Sequence, residues 1–179
     1  MKYLIVYYSA TGNNKYVAEK IAQQLECDIV EIVPRAKSHF ILILSSLIGI
    51  KIGNRKLKVN IGEYDKVIVC CPIWMGKVIA PIRAFLKENE TIMKKLIYVT
   101  CCGGDEQSKN TKYGYENMFS ELKKELGNVF EKGYAIPIGL LVEKEKRKET
   151  DLMKIILSDS NYGGEIKKRV EEIVNEIRE

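Results

Sequence analysis

The sequence predicts an α/β fold in which a five-stranded parallel sheet lies between two layers of helices. Short apolar runs that fit buried strands alternate along the chain with longer amphipathic runs that fit helices, a pattern typical of parallel sheets. The first apolar run also leads directly through a short polar loop into a helix. The predicted strands are 3–8, 28–33, 65–71, 95–102 and 134–138, and the predicted helices are 15–25, 78–89, 113–126 and 164–179.

The strands differ in how far they can be buried. The runs 3–8 and 65–71 are apolar enough to be covered on both faces, as central parallel strands are. The run 28–33 alternates and stops at Pro34, which places it near an edge. The last strand contains Pro137, and a proline suits an edge because it cannot donate to a ladder.

Length and composition indicate a single domain, 1–179, with an apolar insert around 38–60 and a C-terminal extension around 143–179. Hydrophobic residues make up 46% and charged residues 30%. The five cysteines lie mostly in apolar strands, and no signal-peptide pattern is present, so we expect buried thiols and a cytoplasmic protein. The net charge of +5 is too small and dispersed to indicate nucleic acid as a partner.

The loop after the first strand carries the clearest functional signal. Its residues are Ser9-Ala10-Thr11-Gly12-Asn13-Asn14. The first N–H groups of a helix lack intrahelical acceptors and lie at the positive end of its dipole, so hydroxyls and a glycine placed there suit a phosphate. The alternative is an ordinary strand-to-helix turn with a capping residue.

Two further loops are expected at the same edge, because ligands of doubly wound sheets bind outside the carboxyl ends of the strands. These loops are Pro72-Ile73-Trp74-Met75-Gly76 and Cys101-Cys102-Gly103-Gly104. Trp74, the sole tryptophan, could form one wall for a flat apolar ring, or it could fold back onto the core. The two glycines allow a tight turn whose N–H groups face a ligand.

These three loops resemble those of flavodoxins. Ser9, Thr11 and Gly12 match the S/T-x-T-G-x-T phosphate loop, whereas Asn14 replaces its last Thr. The run from Pro72 resembles the P-x-W-x-G sequence of the family. The resemblance implies the flavodoxin-like strand order 2-1-3-4-5 and FMN as cofactor, with its phosphate on the first loop and its ring between the other two. Tyr113 and Tyr115 are candidates for the outer face of the ring, although a core position is expected for each.

The resemblance implies a redox protein that transfers electrons through the flavin to a partner protein or a small-molecule donor or acceptor. One alternative is an FMN-dependent reductase or oxidase of the NAD(P)H:quinone or protoporphyrinogen type, and another is a binding module without flavin. No catalytic side chain is predicted, because His39, the sole histidine, has no triad partner in view. No metal site is predicted either, since neighbouring residues of a strand, such as Cys70-Cys71, point to opposite faces.

The stretch 40–50 is apolar on nearly all sides of a helix and is too short to cross a bilayer, which needs about 20 residues. We expect it to pack in the core. A homodimer contact and a membrane surface are the alternatives, and the basic run 51–58 beside it keeps the second open. Within 143–160, residues 151–157 are predicted to form a short helix.

Overall fold

The computed structural model describes residues 1–36, 38–103, 106 and 109–179, and a five-stranded parallel sheet forms its centre. The strands of the sheet are Tyr3–Tyr7 (β1), Asp28–Glu31 (β2), Lys66–Cys70 (β3), Leu96–Cys102 (β6) and Phe130–Pro137 (β7). A separate hairpin is formed by two short strands, Ile73–Trp74 (β4) and Lys77–Val78 (β5). The helices are Asn13–Leu25 (α1), His39–Ile48 (α2), Ala80–Asn89 (α3), Tyr115–Leu126 (α4) and Gly164–Arg178 (α5).

The strand order is β2-β1-β3-β6-β7, which is the predicted 2-1-3-4-5 when only the strands of this sheet are counted. Every pair in the sheet is parallel. Pro137 lies in the edge strand β7, as predicted, whereas that strand begins at Phe130, four residues before its predicted start. The early part was missed because Glu131 and Lys132 are exposed and break the apolar pattern.

The central strands are buried on both faces, which explains their continuous apolar sequences. Leu4 and Val6 of β1 point into a core shared with α3 and α4. Ile5, between them, points into a second core shared with α1 and α5. The sheet therefore has a helical layer on each face, and the α/β/α sandwich predicted from the sequence is confirmed.

Two local predictions were wrong. Trp74 lies in a short strand of the β4–β5 hairpin and not in an irregular loop. In the 151–157 stretch, the helical part is a single 3₁₀ turn at Leu152–Lys154. The hairpin comes from a tight turn at Met75 and Gly76. The 151–157 stretch is instead held by hydrogen bonds to the distant Asn13, and such contacts leave no periodic signal.

The prediction that 40–50 packs in the core was wrong for most of its apolar side chains. Leu42 is buried, but the helix presents a largely exposed apolar surface formed by Phe40, Ile41, Ile43, Leu44, Leu47 and Ile48. The inward side carries Ser45 and Ser46 instead. The Ser46 hydroxyl donates to Leu42 O at 2.6 Å and accepts the N–H of Ala80 at 2.8 Å, so it caps the start of α3. Among the described residues, the helices are all too short or too polar to cross a bilayer.

Candidate functional site

The three predicted loops meet at one end of the sheet around a cavity of about 90 Å³. Its walls are formed by Ala10, Thr11, Asn13, Asn14, Pro72, Ile73, Trp74, Cys101, Cys102, Gly103, Leu152 and Met153. Ten of these twelve residues belong to the predicted site. The other two come from the C-terminal extension.

The parallel register brings these loops together. Tyr7, the last residue of β1, is paired with Cys70, the last residue of β3, and Cys70 is paired with Val99 of β6. The ladder continues one step past each strand, because Tyr8 N donates to Cys70 O and Cys71 N donates to Val99 O, both at 3.1 Å. The loops that follow β1, β3 and β6 therefore start side by side.

The first loop turns into α1 at Gly12, whose φ of 101° lies in the left-handed region that favours glycine. The N–H of Gly12 donates to Ser9 Oγ at 3.0 Å, which closes the turn. Within the described part of the chain, no acceptor is paired with the backbone N–H groups of Thr11, Asn13 and Asn14. These groups lie at the positive end of the α1 dipole, so they suit an anion.

The Asn14 side chain connects the first loop to the third. It is 3% exposed, and its Nδ2 donates to Cys101 O at 2.9 Å while its Oδ1 accepts Cys101 N–H at 2.8 Å. The two ends of the amide therefore bind the backbone N–H and the backbone C=O of one residue, Cys101. At the position where the flavodoxin motif has its last Thr, Asn14 thus supplies a donor atom and a separate acceptor atom.

Asn13 connects the first loop to the C-terminal extension. Its Nδ2 donates to Ile155 O and its Oδ1 accepts Leu157 N–H, both at 2.8 Å. We call residues 151–157 the strap. The strap is further anchored beyond its end, where Asp159 accepts hydrogen bonds from Tyr16 and Lys20 of α1.

The strap narrows the cavity. A Cβ placed on Gly103 would lie 2.1 Å from the Met153 sulfur, so the Met153 side chain lies directly over the Gly103 backbone. Small-molecule sites usually measure about 300–1,000 Å³. The present cavity is smaller, so a ligand with a ring system fits only if the walls of the cavity move apart.

The second loop is held by the hairpin. Met75 and Gly76 have φ of 51° and 71°, the left-handed values that a two-residue type I′ turn requires. A Cβ on Gly76 would also lie 2.8 Å from Lys112 O, so a glycine is needed there for space as well. The turn holds Trp74 half-buried, with Tyr8 edge-on to its ring at 6.3 Å between centroids. Trp74 thus both contacts the core and lines the cavity.

Comparison with solved structures identifies the architecture. A proposed flavoprotein of Bacteroides eggerthii is 24% identical, with a TM-score of 0.63 over 75% of this chain and 87% of that one. A flavoprotein of Lactobacillus acidophilus, solved in complex with FMN, is 19% identical, with a TM-score of 0.61 over 75% and 91%. A Streptococcus pneumoniae flavodoxin is 16% identical, with a TM-score of 0.51 over 99% and 98%.

The fold is flavodoxin-like. This confirms the recognition made from the sequence at the level of the fold, because identities this low establish no more than that. No protein-family model matches the chain, and no curated protein matches it.

Within this flavodoxin-like fold, four of the predicted site residues that the structure describes do not line the cavity. Ser9 and Gly12 are absent from its walls and close the turn of the first loop. Met75 and Gly76 face a separate cleft next to α4. Gly104 lies outside the described residues, as does Asp105 beside it.

The two candidate tyrosines have different surroundings. Tyr115 is 7% exposed and packs against Phe119 in the core, with ring centroids 5.8 Å apart. Tyr113 is 52% exposed and lines the cleft with Met75. Tyr115 therefore has the core position expected for both tyrosines, whereas that expectation was wrong for Tyr113.

The described walls of the cavity offer little acid–base chemistry. Among the lining residues that the structure describes, the only ionisable side chains are those of Cys101 and Cys102. Burial raises the pKa of the Cys101 thiol far above its ordinary value, and the neighbouring Cys102 adds to the shift. Cys101 is therefore protonated at physiological pH. Among the described residues, no cluster of His, Cys, Asp and Glu could hold a metal ion.

Sequence reasoning missed Leu152 and Met153 in the cavity wall. The strap that contains them is a short apolar run without a motif, so nothing in its sequence indicates that it lies against the predicted loops. The buried pairing of Asn13 with the strap was missed for the same reason, because an Asn next to a helix start is usually a surface cap.

We expect Asn14→Ala to lower the free energy of unfolding by about 1–3 kcal/mol, because it leaves both buried polar groups of the Cys101 peptide unit without this partner. Urea denaturation followed by circular dichroism measures the change. Asn128→Ala is the matched control, since Asn128 is exposed in a turn, and its effect should stay within about 0.5 kcal/mol. Equal effects of the two substitutions would contradict the role given to Asn14.

Proposed function

We propose that this protein binds FMN at the junction of the three loops and transfers electrons through it. One observation carries the proposal: unpaired N–H groups at the start of α1 line the same cavity as Trp74 and the Cys102–Gly103 backbone. An anion site thus lies beside a partly apolar slot with an aromatic wall. A flat ring that carries a phosphate has both kinds of surface.

The residues present fit such a ligand. The backbone N–H groups of Thr11, Asn13 and Asn14 and the exposed Thr11 hydroxyl would hold the phosphate. Trp74 on one side and Cys102–Gly103 on the other would enclose the ring. When bound, FMN supplies the electron-accepting and electron-donating chemistry.

The chain's own contribution would be binding and orientation. Among the described lining residues only the two thiols can ionise, so these residues offer a substrate no strong acid or base. This favours electron transfer to a partner over a reaction that needs a protein proton donor. The FMN-containing flavoprotein of Lactobacillus acidophilus, which shares the fold, adds support for the choice of cofactor.

The strap would control access. Met153 covers Gly103, and the cavity beneath is too small for a ring system, so FMN entry would require the strap to move away from the third loop. The strap is hydrogen-bonded to Asn13 at its far end, through Ile155 and Leu157. The part that covers Gly103 is a single 3₁₀ turn, in which Met153 is 73% exposed. This turn would swing outward while the end bound to Asn13 stays in place.

The first test is titration of the purified apoprotein with FMN and with riboflavin, followed by quenching of the fluorescence of Trp74, the sole tryptophan. Thr11→Val should weaken FMN binding by about 10–100-fold, the usual effect of losing one hydrogen bond to a charged group. It should leave riboflavin binding unchanged, because riboflavin has no phosphate.

The matched control is Thr91→Val, at an exposed threonine just beyond α3, which should bind FMN normally. Absence of FMN binding by the unmodified protein would refute the proposed function. An equal loss of riboflavin affinity in Thr11→Val would refute the placement of the phosphate.

Met153→Ala should increase the association rate of FMN several-fold, because it shortens the side chain over Gly103. Stopped-flow mixing measures this rate through the same fluorescence signal. Ile156→Ala is the control, since Ile156 is 59% exposed in the strap and does not line the cavity. Identical rates for the two variants would show that the Met153 side chain does not limit entry.

A third test separates an electron carrier from an enzyme acting on small molecules. Under anaerobic conditions, NADH or NADPH alone should not bleach the flavin of the reconstituted protein, whereas dithionite should do so at once. Rapid bleaching by either nicotinamide would instead support the FMN-dependent reductase considered as the alternative.

A further inference from the structure

The outward side of α2 is an apolar surface on a well-formed helix. We call it the α2 face, formed by Phe40, Ile41, Ile43, Leu44, Leu47 and Ile48, which are each 38–72% exposed, together with Ile50 just beyond the helix at 54%. The helix is closed at both ends, by Ser38, whose hydroxyl accepts from Ile41 N, and by Gly49 in the left-handed region. Contiguous apolar patches of this kind mark contact surfaces.

The helix is inverted relative to an ordinary surface helix. Its polar residues Ser45 and Ser46 are 6% and 0% exposed, while its large apolar side chains other than Leu42 are 38–72% exposed. A surface helix normally buries its apolar stripe and exposes its polar one. Burial within this chain therefore does not account for the apolar side chains of the α2 face.

The positive charge of the surrounding segment indicates which kind of partner could cover the α2 face. The segment 34–62, which contains α2, has six Lys and Arg residues and no Asp or Glu. Four of the cations follow the helix, and all four are exposed: Lys51, Arg55, Lys56 and Lys58. None of these four forms a salt bridge with a described carboxylate.

The two ends of this segment are joined to each other. Arg35 N donates to Gly53 O and Arg55 N donates to Val33 O, and Pro34 is bridged to Asn54. The two ends of the segment that contains α2 thus lie side by side. The exposed apolar side chains and the basic residues therefore belong to one loop-like segment of the chain.

The adjoining surface has the same character. Leu47 of the α2 face borders a cleft of about 540 Å³ with Met75 and Tyr113, which are 52% exposed each. Lys77, Lys112 and Lys124 also line this cleft, and Glu121 is its one carboxylate among the described lining residues. Aromatic and lysine side chains next to an apolar band are typical of proteins at a membrane–water interface.

We propose that the α2 face docks on a membrane surface that contains anionic lipid, with its apolar side chains in the interface and the neighbouring cations on the headgroups. A second copy of this chain fits less well, because pairing the two faces would bring together two sets of the four exposed cations that follow the helix. An anionic bilayer accepts both features at once. The proposal does not depend on FMN binding and is tested without it.

The test is co-sedimentation of the full chain with phosphatidylcholine vesicles that contain either no phosphatidylglycerol or 30% phosphatidylglycerol. We expect binding to the anionic vesicles that weakens as NaCl rises, and little binding to the neutral ones. Phe40→Gln with Leu44→Gln should lower the partition coefficient more than tenfold. Lys51→Gln with Lys56→Gln should lower it by roughly 25-fold, since each cation near the surface contributes about a factor of five.

Matched controls lie on other surfaces. Ile92→Gln removes an exposed isoleucine beyond α3, and Lys168→Gln removes an exposed lysine on α5, on the opposite side of the sheet from α2. Both should bind like the unmodified protein, and circular dichroism should show all variants folded. Failure of the unmodified chain to bind anionic vesicles would overturn the proposal. So would equal losses in the controls, or sedimentation velocity showing a dimer that Phe40→Gln with Leu44→Gln dissociates.

Discussion

The candidate site depends on the two hydrogen bonds that the Asn14 side-chain amide makes with the backbone N–H and C=O of Cys101. They join residues 87 positions apart, and they are buried, where water does not compete with them. The parallel ladder brings the ends of β1, β3 and β6 to one edge of the sheet, but it does not determine the path of the loops beyond the strand ends. Asn14 then fixes the start of α1 against the third loop. The unpaired N–H groups of the first turn are thereby held over the same opening as Gly103.

Asn13 and Asn14 show how one helix start can serve two structural tasks. Asn14 faces the sheet and binds Cys101, whereas the adjacent Asn13 binds the backbone of the strap at Ile155 and Leu157. Both side chains are thus engaged within the chain, and the backbone N–H groups are left for a ligand. This division has a physical basis. A side-chain amide supplies a donor and an acceptor together, which suits a backbone C=O and a backbone N–H. The N–H groups at a helix start supply donors only, which suits an anion.

The sequence was sufficient for the fold because its strands are buried on both faces and its helices are amphipathic, so the local pattern reflects the tertiary position directly. The three loops could be assigned to one edge because topology alone places them there. Met153 could not be assigned in the same way. Its contact with Gly103 depends on the path of the strap, which is bound by Asn13 and, just beyond its end, by Tyr16 and Lys20 through Asp159. None of these pairings has a spacing that a sequence pattern could indicate.

The misassignment of α2 has a different origin. The hydrophobic sequence of α2 predicted that its side chains would be buried, and Leu42 is buried. The decisive residue is Ser46, whose hydroxyl accepts the N–H of Ala80 at the start of α3, a group that would otherwise lack a partner in a buried place. Satisfying that group turns the serine side of α2 inward, and the apolar side must then face outward. A polar requirement inside the fold thus produces an apolar surface outside it. A chain could remove that surface at little cost by replacing Phe40 or Ile48 with polar residues, since neither is needed for packing. These positions are nevertheless apolar, and they lie next to cations without described ion-pair partners. The packing of this chain does not explain that combination, whereas a contact surface does.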